Sequence, residues 1–315
     1  MQVTATGDTD MPRLPRLTTT VPREYVHRAS LAEVFLTDCT ARDDLRFSLT
    51  GQWPRAHTYF TDADGTTHDP MLAAETFRQA CICIAHTELG VPLGHPFVMW
   101  NLSYTTDPNR MDIASCPTDL VIQASCTELT RRGESVSEIR MDLSLYRDSD
   151  LVAHAATHYG PLPPAVYDRI RSKRRVGPLD EADAAVGVEA LALAPASVGR
   201  SCAADVVLTA TKQPRRWLLT PDLNHPILFD HSGDHVPGMV LMEGARQAAC
   251  SLVGPQSFTP VSASNSFRRY VELDRPCWID VERMAFESGS TVTVEVVGRQ
   301  DGHNVFSSTL TGRVD

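Results

Sequence analysis

The amino-acid sequence predicts an α+β fold made of two similar halves, each an antiparallel sheet wrapped around one central helix. Three observations carry this. Glu75-Thr-Phe-Arg78-Gln79-Ala80 recurs 168 positions later as Glu243-Gly-Ala-Arg246-Gln247-Ala248, and His57 recurs at the same offset as His225. The two segments that carry the sextet are apolar nearly all round, as helices enclosed by their own domain are. Each is followed by short strand-like runs separated by turn residues, the pattern of an antiparallel meander.

Each element follows from local chemistry. Residues 24–60 read as extended structure, with Val34-Phe35-Leu36 and the alternating run 45–49 as strands. Asp62 to Gly65 is a turn, and Asp69-Pro70 opens a helix, Asp as cap and Pro at the first position. That helix runs over 71–89 and stops at Gly90. Strands follow at 97–102, from 120, at 139–146 and at 151–159, the last two flanking a turn at 147–150. The second half repeats the order: strand-like 206–209, a helix from Pro237-Gly238 through Leu252 stopped by Gly254-Pro255, then strands at 267–273, 277–286, 291–298 and 305–311. A helix that is apolar all round fits only inside the sheet, which is the hotdog architecture. The expected fold is a tandem (double) hotdog: a flexible tail over 1–20, hotdog domains over 21–165 and 191–315, and a linker over 166–190.

Composition narrows the function classes. A chain of 315 residues that is 42% hydrophobic can bury two cores. A net charge of −10 argues against a nucleic-acid partner, which selects a basic surface. No run approaches the ~20 apolar residues of a membrane span, and the N-terminus lacks a secretory apolar core, so no membrane partner and a cytoplasmic location are expected. The eight cysteines form no C-x-x-C pair and no cluster with metal spacing, so they read as buried reduced thiols. No metal and no cofactor are expected.

The ionisable residues inside the apolar helices point to chemistry. Glu, Arg three later and Gln four later share one helix face. Charges in such a helix are costly unless paired or used. The candidate acid/base groups are therefore Glu75 and Glu243, with Arg78, Gln79, Arg246 and Gln247 beside them. His231 precedes the second helix and has Ala63 at the matching position of the first half, so Glu243 is the favoured acid/base.

Residues 229–248, in which His231 and Pro237-Gly238 precede Glu243 and Gln247, resemble the start of the central helix in hotdog β-hydroxyacyl-carrier-protein dehydratases. The histidine-to-acid spacing is shorter here, and Arg246 stands beside the acid. A wider match covers about residues 25–315. His27-Arg28, Phe47 to Arg55, Asp69 to Ala80, Gly90 to Gly94 and Phe97 to Tyr104 together resemble the A-factor biosynthesis hotdog family. That resemblance implies an acyltransferase joining a β-ketoacyl thioester to dihydroxyacetone phosphate. The ester then cyclises to a butenolide phosphate, on the way to γ-butyrolactone or furan autoregulators.

For such a reaction Glu243 or Glu75 would be the base, its pKa raised by burial. Amides at Gly238 would polarise the thioester carbonyl. Arg78 and Arg246 would grip phosphate by a bidentate fork, with Arg268 and Arg269, expected in a strand, as further candidates. Phe77, Ile84, Met99, Trp100, Leu241 and Met242 are candidates to line an acyl tunnel. The basic run 169–175 is a candidate docking patch for an acyl carrier protein. The chain would be a monomer with an intrachain pseudo-dimer, or a homodimer. The alternatives are a hotdog dehydratase or thioesterase, and a non-catalytic lactone-binding regulator.

Overall fold

The structure is a computed structural model that describes residues 18–62, 64–173, 191–231, 233–253, 258–287 and 289–314. The first half contains β1 (Leu36–Asp43), β2 (Arg46–Trp53), α1 (Pro70–Thr87), β3 (Phe97–Thr106), β4 (Thr118–Arg132), β5 (Ser135–Arg147) and β6 (Asp150–Pro161). A short helix α2 (Pro164–Arg171) follows. The second half contains β7 (Leu191–Ala192), β8 (Leu208–Ala210), β9 (Arg216–Leu219), α3 (Gly238–Val253), β10 (Phe258–Phe267), β11 (Trp278–Phe286), β12 (Thr291–Gln300) and β13 (His303–Val314).

One continuous sheet of thirteen strands runs in the order β1-β2-β4-β5-β6-β3-β10-β13-β12-β11-β9-β8-β7. Read outward from its centre, the first six strands of each half follow the same order, and β7 adds a seventh to the second half. The halves meet edge to edge where β3 pairs antiparallel with β10, Ser103 opposite Ser264, their hydroxyls 3.0 Å apart. This pairing leaves neither inner edge open, which removes the hazard of an exposed strand edge.

The sheet wraps both helices. Of the eighteen residues of α1 only Arg78 and Thr87 are not buried. In α3 every residue from Val240 to Cys250 is buried, Arg246 included. Asp69 caps α1 through a 2.8 Å bond from the Met71 amide. Gly238 sits where α3 must pass the Phe267 ring; a Cβ there would lie 3.2 Å from that ring.

Several expectations are corrected. Residues 23–26 and 31–33 are 3-10 turns rather than extended chain. The strand expected at 267–273 is instead β10, which ends at Phe267. Its Ser-rich sequence hides it from a hydrophobic count, because it is held by ladders on both sides. The stretch 166–190 begins inside α2, and Arg171 is clamped by Asp234 and Glu272, both at 2.7 Å. Its charge is therefore spent, which weakens the run 169–175 as a docking patch. No disulfide joins any of the eight cysteines, but Cys116 and Cys202 are exposed and Cys39 is half-buried rather than buried. No helix among the described residues is long and apolar enough to cross a membrane. Residues 1–17 of the expected tail, 174–190 of the expected linker and the Gly254-Pro255 stop lie outside the described residues.

Candidate active site

The Glu75 carboxylate is fully buried on α1. Arg78, one turn on, donates to it through Nε (2.8 Å) and Nη2 (2.7 Å), and Gln79 adds a bond of 2.8 Å. Arg28, from the loop ahead of β1, donates through Nε at 3.0 Å and places Nη2 at 2.6 Å. Its Nη1 crosses to the second half and donates to the Ile227 carbonyl at 3.0 Å. Gln79 also holds the Glu33 carbonyl and the Phe35 amide.

The second half repeats this with different neighbours. Glu243 accepts from Arg200 (2.8 and 2.6 Å), Arg246 (2.8 and 2.7 Å) and Gln247 (2.5 Å). Arg200 Nη1 crosses to the first half and donates to the Tyr59 carbonyl at 2.7 Å. Gln247 holds the Asp205 carbonyl and the Val207 amide. Each half thus reaches into the other through one arginine.

The acids are not the raised-pKa bases expected of buried carboxyls. Burial pushes Glu75 up, but Arg28, Arg78 and Gln79 outweigh it and hold the group at about 2. Burial is likewise outweighed at Glu243 by Arg200 and Arg246, which hold it well below the carboxylate range. Charge pairing wins because each carboxylate has two guanidiniums within hydrogen-bond reach. The expected free bidentate forks are also absent, since the Nε–Nη2 edges of both Arg78 and Arg246 are spent on the glutamates.

One neighbour separates the two sites. Asp69, the cap of α1, lies 3.2 Å from Arg200 Nη1, so two carboxylates there face two guanidiniums. The Arg200 guanidinium also stacks on Tyr59 at 4.0 Å, and Arg246 Nη1 rests on the Cys250 thiol. In the first site the position matching Asp69 is Pro237, and one carboxylate contacts two guanidiniums. Asp230 acts on Arg78 through space, but its oxygens accept from the Ala29 and Ser30 amides. Arg78 Nη1 has no hydrogen-bond partner among the described residues. Its side chain is 20% exposed against 7% for Arg246.

Arg78 borders a cavity of about 1170 Å³ between the halves. Arg28 and Arg78 line it from one side; His231, Pro237, Gly238, Met239, Arg268 and Arg269 line it from the other. Neither Arg200 nor Arg246 lines it. Pro237 supplies no side-chain cap to α3, and the amides of Gly238 and Met239 have no partner among the described residues, so helix-start donors face this space. Met99, Trp100, Leu241 and Met242 line it as expected, whereas Phe77 and Ile84 are core residues of α1.

His231 does not accompany Glu243. It stands by the first site, where burial and then Arg78 and Arg28 lower its pKa. The sequence offset misled here because the loop before α3 reaches across to the other half. Arg268 and Arg269 lie in the loop after β10 rather than in a strand, exposed at the cavity. The repeated histidines are structural: His57 pairs with Glu33 and His225 with Asp205, each accepting two backbone amides on Nδ1. The pairing of Arg28 and Arg200 with the glutamates went unseen in the sequence because they sit 47 and 43 residues from them, an unequal spacing that no periodicity reveals. Among the described residues no group of three His, Cys, Asp or Glu side chains could hold a metal ion.

Comparison with known proteins agrees with this architecture. Residues 9–162 and 184–314 each match the family model of the A-factor biosynthesis hotdog domain. A "2-oxo-3-(phosphooxy)propyl 3-oxoalkanoate synthase" of Streptomyces virginiae is 45% identical over 92% of this chain and 97% of its own length. A protein of the same name from Streptomyces coelicolor is 37% identical over 93% and 91%. Among solved structures, the 12:0-ACP thioesterase of Umbellularia californica superposes with a TM-score of 0.52 at 13% identity, covering 88% of this chain and all of that one, a likeness of fold alone.

Proposed function

Since this chain belongs to the A-factor biosynthesis hotdog family, we propose that it is an acyltransferase that esterifies dihydroxyacetone phosphate with a β-ketoacyl group taken from a thioester. The donor rides on an acyl carrier protein or coenzyme A in the cytoplasm. The ester closes to a butenolide phosphate in γ-butyrolactone or furan autoregulator biosynthesis. The name of the relatives describes that ester, a 3-oxoalkanoate of a phosphooxy-oxopropyl alcohol.

The observation that carries this reading is the cavity between the halves, with apolar walls and an incompletely paired guanidinium couple at one side. Arg78 Nη1 and Arg28 take the phosphate of the acceptor. The free amides at Gly238 and Met239 polarise the thioester carbonyl, where negative charge develops during attack. The acyl chain lies along Met99, Trp100, Leu241 and Met242. Arg268 and Arg269 meet the phosphate of the donor's carrier arm, and His231 borders the acceptor. Against its burial, Glu75 is held ionised at about 2 by Arg28 and Arg78, which makes it a weak base, so its role is to aim Arg28 and Arg78. Glu243, Arg246 and Gln247 brace the second half. The two hotdog units, 21–165 and 191–315, replace the subunits of a dimer, and one of two pseudo-equivalent sites works.

The test is to incubate purified protein with dihydroxyacetone phosphate and a panel of β-ketoacyl thioesters, following ester by mass and free thiol by colour. Ester formation with thiol release that requires the acceptor is expected. Thiol release without acceptor makes the protein a thioesterase, and tight lactone binding with no turnover makes it a regulator.

A further inference from the structure

In the first half, His27 lines the cavity and is paired with a second histidine behind it. His27 Nε2 lies 3.0 Å from His86 Nε2, and His86 Nδ1 lies 2.9 Å from the Val91 carbonyl. A carbonyl only accepts, so His86 Nδ1 carries a proton. Both imidazoles are neutral near pH 7: burial first, then Arg78, His86 and His231, bring His27 to about 4, and burial also lowers His86. A neutral His86 protonated on Nδ1 has a lone pair on Nε2, so His27 must donate from its own Nε2. The chain of two bonds therefore leaves a lone pair on His27 Nδ1. That nitrogen has no partner among the described residues, and His27 lines the cavity beside Arg28 and Arg78.

His27 is also held in a costly conformation. Its φ of 52° and ψ of 54° are left-handed, a region that favours glycine. The matching turn of the second half ends on Gly199, with φ of 68°. Position 254, which matches His86, is glycine in the sequence. The first half thus carries two histidines where the second has two glycines, and keeps a β-carbon where backbone geometry favours none. Strain retained at a cavity marks a constraint set by function.

We infer that His27 Nδ1 is the general base of the acyl transfer, with His86 and the Val91 carbonyl fixing its tautomer. This rests on the function proposed above. The acceptor hydroxyl oxygen attacks the thioester carbonyl carbon as its proton passes to His27 Nδ1. The tetrahedral intermediate collapses by breaking the carbon–sulfur bond, and the imidazolium returns the proton to the leaving thiolate. The products are an ester and a thiol, with no other reactant. A phosphate dianion seated on Arg78 offsets the guanidinium charge that represses His27, so the acceptor itself raises the basicity of its base. Arg28, Arg78, His86 and His231 are the charged or titratable groups around the imidazole.

The decisive variant is His27→Gly, which removes the imidazole and suits a left-handed residue. Its Tm is expected to equal or exceed that of the wild type, while kcat for ester formation falls roughly 10²- to 10⁴-fold. KM for dihydroxyacetone phosphate is expected to stay within about threefold, in contrast to an arginine variant. The acid limb of the pH–kcat profile, set by His27, is expected to vanish. Imidazole ¹⁵N spectra of the free protein should show His27 protonated on Nε2 and His86 on Nδ1, and His86→Ala should abolish the single tautomer of His27. Wild-type kcat and pH profile in a folded His27→Gly protein overturn the inference alone. The opposite tautomers in the spectra overturn it as well. A wild-type protein that makes no ester overturns the proposed function and the base role with it, while the spectra still report whether the histidine pair exists as described.

Discussion

Replacing Arg78 by alanine removes a guanidinium end beside the cavity that lacks a hydrogen-bond partner among the described residues. Glu75 keeps its bonds from Arg28 and Gln79, so the carboxylate stays paired and the fold survives. What is lost is a charge-assisted contact to the acceptor phosphate, worth about 1.5–3 kcal/mol. At 1.4 kcal/mol per factor of ten this predicts a fall in kcat/KM for dihydroxyacetone phosphate of roughly 10- to 150-fold. The assay is ester formation at subsaturating acceptor, run in parallel with dihydroxyacetone, which has the same hydroxyl and no phosphate. The wild type should use dihydroxyacetone poorly, and Arg78→Ala should lower that residual rate by less than about threefold. An equal loss with both acceptors would refute phosphate recognition by Arg78 and make the residue a support for Glu75. A large loss in Arg246→Ala confined to the phosphorylated acceptor would refute the choice of site.

Three further outcomes follow from the same geometry. Glu243→Gln leaves Arg200 and Arg246 buried without their main carboxylate; a loss of about 3–5 kcal/mol is expected in chemical denaturation, yet kcat of the folded fraction should change less than about threefold. Glu75→Gln should cost similar stability and also lower activity at least about tenfold, because Arg28 and Arg78 lose their aim. Stability should fall in two stages on acidification: His27 and His68, neutral in the fold at about 4 against roughly 6.5 unfolded, give stability that is complete above pH 6.5 and lost towards 4. Glu75, depressed to about 2, gives stability that is present above its unfolded value and lost as pH falls through 2. Denaturation midpoints at pH 7.5, 5.5, 4 and 3 measure both stages, and His27→Gly should flatten the first.

Much of the fold was legible because it rests on local rules. Asp69-Pro70 signals a helix start, and the apolar circumference of 71–86 requires an enclosing sheet. The strands with strong alternation, such as 139–146, read correctly. Those bonded on both edges with polar faces, such as β10, did not, since their stability lies in ladders made with distant strands. The sextet on each helix was visible; the fate of its charges was not. Arg28 and Arg200 reach their glutamates from loops outside the helices, and His231 swings to the opposite half.

By itself the sequence determined the two apolar helices and the Glu-Arg-Gln face on each through short-range spacing, the duplication through the repeat of that pattern 168 positions on, and the family through the resemblance of its motifs. Tertiary structure alone decided which copy borders the cavity. A single aspartate at the start of α1 contacts Arg200, while a proline at the start of α3 leaves Arg28 and Arg78 with one carboxylate in direct contact. That difference is a matter of which charges meet across the two halves, and charge balance across an interface depends on distance in space rather than distance along the chain.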